Sequence, residues 1–149
     1  MDDLPDWAVD DTEIVGQRWL LRRVLQARVK NGVPERSNFR EDEPGCGLSV
    51  TVWDSLQDLE DIRRRHENFG IIAAPASAFR AEAGTVIARA PLVGNLNHCE
   101  IFPHFGQGAQ KRIRETSRWV HYPDWVEDQH RGEPLNLYAD QANCNAVAS

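Results

Sequence analysis

"LSVTVWDSLQDLEDIRRRHENFGIIAAP", residues 48–75, decides the architecture, because its hydrophobic period changes twice. In "LSVTVW" the hydroxyls of Ser49 and Thr51 alternate with Val50 and Val52, the two-residue period of a strand with one polar face. "DSLQDLEDIRRRHENFG" then carries helix signals: Asp54 or Ser55 to cap, acids in the first turns, Arg63, Arg64 and Arg65 in the last, and Gly70 to stop it. That charge order complements the helix dipole. "FGIIAAP" is short, apolar and bounded by breakers, which predicts a buried strand.

The pattern continues outward. "PASAFRAEAG" predicts a short helix entered at Pro75 and ended at Gly84, and "TVIARAP" a strand halted by Pro91. After the turn "PLVGNLN" comes a strand "HCEIFP", then "GQGAQKRIRETSRWV". In that last stretch Ala109, Ile113, Thr116, Trp119 and Val120 form one face of a helix opposite Lys111, Arg112, Arg114 and Arg118. Upstream, "RWLLRRVLQARVK" fits a strand leading into a loop, and residues 31–47 are rich in Gly, Pro, Asn, Ser and charge, the chemistry of a long loop. These elements predict an α+β fold: a single domain, with a mixed β-sheet and two or three helices. The expected divisions are an acidic arm over 1–13, the α+β body over 14–122 and a polar extension over 123–149.

Composition narrows the function classes. With 149 residues, 41% hydrophobic and 27% charged, the chain can build one ordinary core. No apolar run reaches the roughly 18–20 residues of a membrane span, and "MDDLPDWAVDD" is acidic where a secretory signal is basic, so the expected location is the cytoplasm. Cys46, Cys99 and Cys144 lack paired spacing and read as reduced thiols, without a zinc site. A net charge of −6 argues against nucleic acid as a partner. Within that balance, Arg18, Arg22, Arg23, Arg28, Lys30, Arg36 and Arg40 stand against Glu35 alone in residues 14–40. The expected partner is another protein, contacting the part of that stretch near Arg18 to Arg28, which includes Arg23, or the basic side of the helix carrying Lys111, Arg112, Arg114 and Arg118.

Catalytic candidates are few. Strand alternation puts His98 and Glu100 on one face of "HCEIF" and Cys99 and Ile101 on the other. His-x-Glu opens a zinc deaminase signature, but the required Pro-Cys-x-x-Cys is missing. A two-histidine, one-carboxylate iron site built on His98, Glu100 and His104, His121 or His130 has no fixed third ligand, so no metal and no cofactor is expected. No Gly-x-Ser-x-Gly turn, Ser-x-x-Lys pair or phosphate-cradling glycine loop occurs. "GQG", entering the basic helix, is the nearest approach to an anion site. The order Arg22, Ser49, Glu100 is similar to that on which ADP-ribosyltransferase folds build an NAD site, which makes a nucleotide-binding enzyme the second expectation. Arg22, Ser49, His98 and Glu100 are the candidate catalytic residues.

"LLRRV", "SNFR", "GLSVTVW" and "FGIIAAPASAFRAEAGTVIARAPLVGNLNHCEI" together resemble a family of small uncharacterised bacterial proteins with an Arg-Arg strand, a Ser-x-Phe segment, a Leu-Ser-Val strand and an Asn-x-x-His stretch in this order. The resemblance covers residues 19–101 and singles out Arg22, Ser37, Phe39, Ser49, Pro91 and His98. It implies a single compact α+β domain of bacterial or phage origin and carries no catalytic role. The leading expectation is an accessory or protein-interaction component of a bacterial cytosolic system.

Overall fold

The computed structural model describes residues 4–137. In chain order the elements are β1 (Trp19–Val24), β2 (Val29–Lys30), β3 (Val33–Pro34), β4 (Leu48–Val52), α1 (Leu56–Arg65), β5 (Gly70–Pro75), α2 (Ala76–Arg80), β6 (Val86–Arg89), β7 (His98–Phe102), α3 (Gln107–Thr116) and β8 (Arg118–His121). Six strands form a sheet in the order β6-β7-β4-β1-β5-β8, and β2 pairs with β3 in a separate hairpin. The α+β class therefore stands. The sheet expected as mixed is antiparallel in each of its pairings.

Directions around the sheet explain where the helices go. β4 and β5 run the same way with β1 between them, β5 and β6 run the same way, and so do β7 and β8. Each of α1, α2 and α3 bridges one of these co-directional pairs. A single hand for all three connections, as parallel crossovers observe, puts α1 on one face and α2 with α3 on the other. The cores follow that division. Leu20, Val24, Val50, Val52, Ile72, Cys99 and Ile101 meet Phe79 of α2 and Ala109 and Ile113 of α3. Trp19, Leu21, Ile71 and Ala73 meet Ile62 of α1, with Leu135 and Leu137 closing that side.

α1 starts where the sequence predicts. The Asp58 carboxylate accepts the backbone N–H groups of Asp54 at 2.8 Å and Ser55 at 2.9 Å, satisfying donors that precede the first helical turn. α3 ends earlier than its pattern suggests. The hydroxyls of Thr116 and Ser117 donate to the carbonyls of Ile113 and Arg114, both at 2.7 Å, and the chain then extends as β8. Trp119 and Val120 consequently point to opposite faces of the sheet rather than along one helical stripe. Arg118 accordingly belongs to an edge strand, not to the basic helix.

The terminal segments, expected as an arm and an extension, close the sheet's two edges over their described residues. Asp10 bridges to Ala88 on β6, and the Asp11 N–H donates to the Ile87 carbonyl at 2.8 Å. On the other edge the Leu135 N–H donates to the Trp119 carbonyl of β8 at 2.8 Å. Ile14, Val126, Leu135 and Leu137 are buried, so core packing crosses the division expected at residue 123. These bonds occupy part of each edge strand's outward ladder and leave less of it to pair with another chain. No helix among the described residues is long and apolar enough to cross a membrane.

The β2–β3 turn is Asn31-Gly32, with φ of 52° and 78°. A Cβ on Gly32 would sit 2.6 Å from His130 Cβ and 2.7 Å from the His130 carbonyl oxygen, whereas one on Gly16, at φ 64°, meets nothing within 4 Å. Both Gly→Ala changes carry the left-handed backbone cost of about 1–2 kcal/mol. Gly32→Ala is expected to lose clearly more stability than Gly16→Ala in urea unfolding. Equal losses would show that the Gly32 approach is not a constraint.

Candidate functional site

β1 and β4 pair only at Leu20↔Val52 and Leu21↔Thr51. Beyond that point the guanidinium of Arg22, 3% exposed, takes over the bonding. It donates to the carbonyls of Asn38 at 2.8 Å and Ser49 at 3.1 Å, and more weakly to that of Arg40 at 3.5 Å. It also bridges both oxygens of Asp42, at 3.0 and 3.3 Å. Arg23 reaches Asp42 at 2.8 Å and Arg28 at 3.6 Å, so three guanidinium groups share one carboxylate. Burial is the largest influence on Arg22 and pulls its pKa down, with Asp42 opposing it. Burial also pushes the Asp42 carboxyl up, but Arg22, Arg23 and Arg28 outweigh it and hold the group below the usual range.

A cleft of about 180 Å³ opens on the α1 face of the sheet. Its floor is the polar row of β4, Ser49 and Thr51, with Leu21 and Arg23 of β1 and His98 of β7. Arg65 and His66 overhang it from the end of α1, and Leu92 and Asn95 form the far wall. The wall contains two arginines and two histidines but no carboxylate. His98 Nδ1 lies 2.8 Å from the Ala90 carbonyl, which can only accept, so the proton sits on Nδ1 and Nε2 is the ring's other polar atom. His66 stacks on Phe69 at 5.1 Å between centroids, and Arg23 lies 5.5 Å over the same Phe69 ring. Burial first, then the charges of Arg23 and Arg65, lower the His66 pKa.

The far wall is a rigid turn with an apolar crest. Asn95, 5% exposed, exchanges hydrogen bonds with the Thr51 hydroxyl, and Asn97 donates to Asp58 at 2.7 Å. Arg65 donates to the Val93 carbonyl at 2.8 Å. Between these anchors Val93 is 93% and Leu96 73% exposed. Large apolar side chains held in water by a pinned backbone are a departure from ordinary surface composition.

The structure thus brings Ser49 and His98 to one cleft and leaves Arg22 on the other face of the sheet, among the residues under α2 and α3. Arg22, Ser49 and Glu100 do not form a common site. Glu100 lies opposite Ser49 in the β4–β7 register and accepts the Gly47 N–H at 3.2 Å, which pins the end of the long loop. Arg23 replaces Arg22 in the cleft. Elsewhere Arg112 pairs with Glu82 at 2.7 Å, Lys111 and Arg114 border a groove with Glu35 and Arg36, and Arg118 is exposed on β8. His104 contacts Glu41 and the Cys46 carbonyl, away from His98. Among the described residues no group of three or more His, Cys, Asp or Glu could hold a metal ion. Burial raises the Cys99 thiol to about 11, so it is protonated and unreactive at neutral pH. Cys46 is exposed and unpaired, and Cys144 lies outside the described residues.

Arg65, His66 and Asn95 are site residues that the sequence did not single out. The run Arg63-Arg64-Arg65 was explicable by the helix dipole alone, and only the crossover of α1 over β1 shows what Arg65 faces. No family model, no curated protein and no solved structure matches this chain. Fold and site together define an α+β protein with a cationic cleft beside an apolar turn.

The Arg22–Asp42 cluster makes a stability prediction. Arg22→Met leaves Asp42 with one fewer partner and strands the Asn38 and Ser49 carbonyls, an expected loss of about 3–5 kcal/mol. Because the Asp42 carboxyl is depressed when folded, its contribution is present above its ordinary value of 3.8 and disappears as pH falls through the lowered one. Asp42→Asn should therefore weaken the protein at pH 7 and flatten the acid limb of its stability curve. An acid limb unchanged in Asp42→Asn would refute the linkage.

Proposed function

We propose that this protein is an accessory or interaction component of a bacterial cytosolic system, and that it binds a segment of another protein across the cleft and the adjoining turn. The observation that carries the reading is the pairing of an acid-free cationic cleft with Leu92 in its lining and Val93 and Leu96 exposed on the same turn. An apolar contact beside a charged pocket suits a partner segment that offers an apolar side chain next to an acidic group. This contact replaces the basic helix as the favoured surface. Arg112 is paired with Glu82, and Arg18, Arg22 and Arg28 are paired with Asp54 and Asp42.

The transferase-like reading has less to stand on. Its arginine is buried and saturated with oxygen partners on the opposite face. The cleft volume also falls below the roughly 300–1,000 Å³ of pockets that enclose drug-sized ligands, let alone a dinucleotide.

Selection from a displayed library of random dodecamer peptides tests the proposal. Acidic peptides with a neighbouring apolar residue should be enriched, and their binding should fall roughly tenfold or more in both Arg65→Glu and Leu96→Asp. Binding should also weaken with salt, since exposed charges are screened over about 8 Å at physiological ionic strength. Peptides that ignore both changes would place the contact elsewhere. Calorimetry with NAD on the wild type and Ser49→Ala is the counter-test, and NAD binding lost in that variant would restore the enzyme reading.

A further inference from the structure

We infer that the cleft floored by β1, β4 and β7 is a receptor for a phosphate monoester borne on a side chain of the partner protein, an inference that rests on the interaction reading above. A head group, not a whole cofactor, matches a cleft of about 180 Å³.

Charge selects the anion. Arg23 lines the cleft and shares Asp42 with Arg22 and Arg28, so that carboxylate is divided among three cations and does not by itself neutralise Arg23. Arg65 adds a further guanidinium from α1, and no carboxylate lines the wall to neutralise it. Two other basic concavities differ in this respect: Glu35 stands beside Arg36, Lys111 and Arg114, and Glu60 and Glu67 beside Arg63 and Arg64. Against these two, the cleft over the sheet combines cations from two elements with an acid-free lining.

Donor geometry points the same way. Arg23 and Arg65 each give one N–H group to a protein oxygen, Asp42 and the Val93 carbonyl respectively, and a guanidinium carries five. Among the described residues the Ser49 hydroxyl and the His66 ring make no hydrogen bond, and both line the cleft. The donors available from two guanidinium groups, a hydroxyl and an imidazole N–H exceed what one carboxylate accepts and suit three phosphate oxygens. Clusters of arginine are a recurrent solution to phosphorylated side chains. The charged groups that act on His66 are Arg23, which lines the cleft with it, Arg65 from its own helix, and, from beyond the cleft lining, Arg22 and Asp42. A bound dianion offsets those cations, so binding draws a proton onto His66.

The test is NMR titration of the full chain with O-phospho-L-serine, L-glutamate and AMP. O-phospho-L-serine should shift the His66 and His98 ring resonances, raise the His66 titration midpoint, and bind roughly tenfold or more tighter than L-glutamate. Arg65→Gln should cost roughly tenfold or more, Ser49→Ala less, and Arg114→Gln nothing. Absent shifts, or equal losses in Arg65→Gln and Arg114→Gln, would overturn the inference. AMP binding well above O-phospho-L-serine would make the site a nucleotide pocket and overturn the side-chain occupant. If phosphate fails while the selected peptides still depend on Leu96, the cleft inference falls alone and the interaction reading survives.

Discussion

The Arg22 guanidinium is the constraint on which the rest of the structure depends. β1 is the central strand, hydrogen-bonded to β4 on one side and β5 on the other, but its ladder with β4 lasts only two residue pairs. The long loop must be anchored where that ladder stops. Arg22 does this by joining Asn38, Arg40 and Asp42 of the loop to Ser49 of β4. A buried charge without partners would cost several kcal/mol. Bonded to five acceptors, it instead makes one loop conformation far better than its competitors. The same contacts hold the 3₁₀ turn at Arg36–Phe39 against α3, and its Phe39 packs edge-on to Phe79 of α2 at 6.0 Å.

From that anchor the cleft follows geometrically. Where β1 and β4 separate, the polar row of β4 is not covered by a neighbouring strand's side chains. α1 crosses above it because β4 and β5 are co-directional and must be joined over one face. The helix is ten residues long, about 15 Å, which carries its last turn from the end of β4 back over the sheet. Arg65 and His66 therefore arrive above Ser49 and Thr51. The β6–β7 turn completes the wall because Asn95 and Asn97 bond to Thr51 and Asp58. Two asparagines thus hold an apolar crest in water.

Much of this was legible in the sequence wherever a local signal agreed with tertiary structure. The period of "LSVTVW", the acid-to-base order of α1 and the alternation of "HCEIF" all specify faces, and each face is occupied as the alternation requires. Other features are set by partners distant in sequence. Trp119 and Val120 fit a helical stripe as well as a strand, and only the free edge of β5 selects the strand. Asn31-Gly32 is a strong hairpin signal between short apolar pairs, but the surrounding Pro and charge read as plain loop. Arg22 and Arg23 are adjacent and chemically identical in the sequence. Strand alternation must send them to opposite faces, yet which face holds the cleft depends on the hand of a crossover. Strand order and the closing of the edges by the two terminal segments lie beyond any local pattern.

Net charge misleads for a related reason. The chain carries −6, yet its cleft is cationic, because the acidic residues nearest the sheet are committed to structure. Asp10 clamps Arg80 and the Ile87 N–H, Asp11 pairs with Arg89, Asp54 with Arg18, Asp58 caps α1, and Asp61 holds Gln57 and Arg64. Hydrogen bonds from Arg89 and from the Glu13 backbone hold Asp11 below the usual carboxylate range, a sign that this charge is spent on stability. Screening over about 8 Å then makes the potential at any surface point a local quantity. A ligand at the cleft meets Arg23, Arg65 and two imidazoles, not the sum over the chain. An excess of acid over the whole chain is therefore compatible with a local site for an anion.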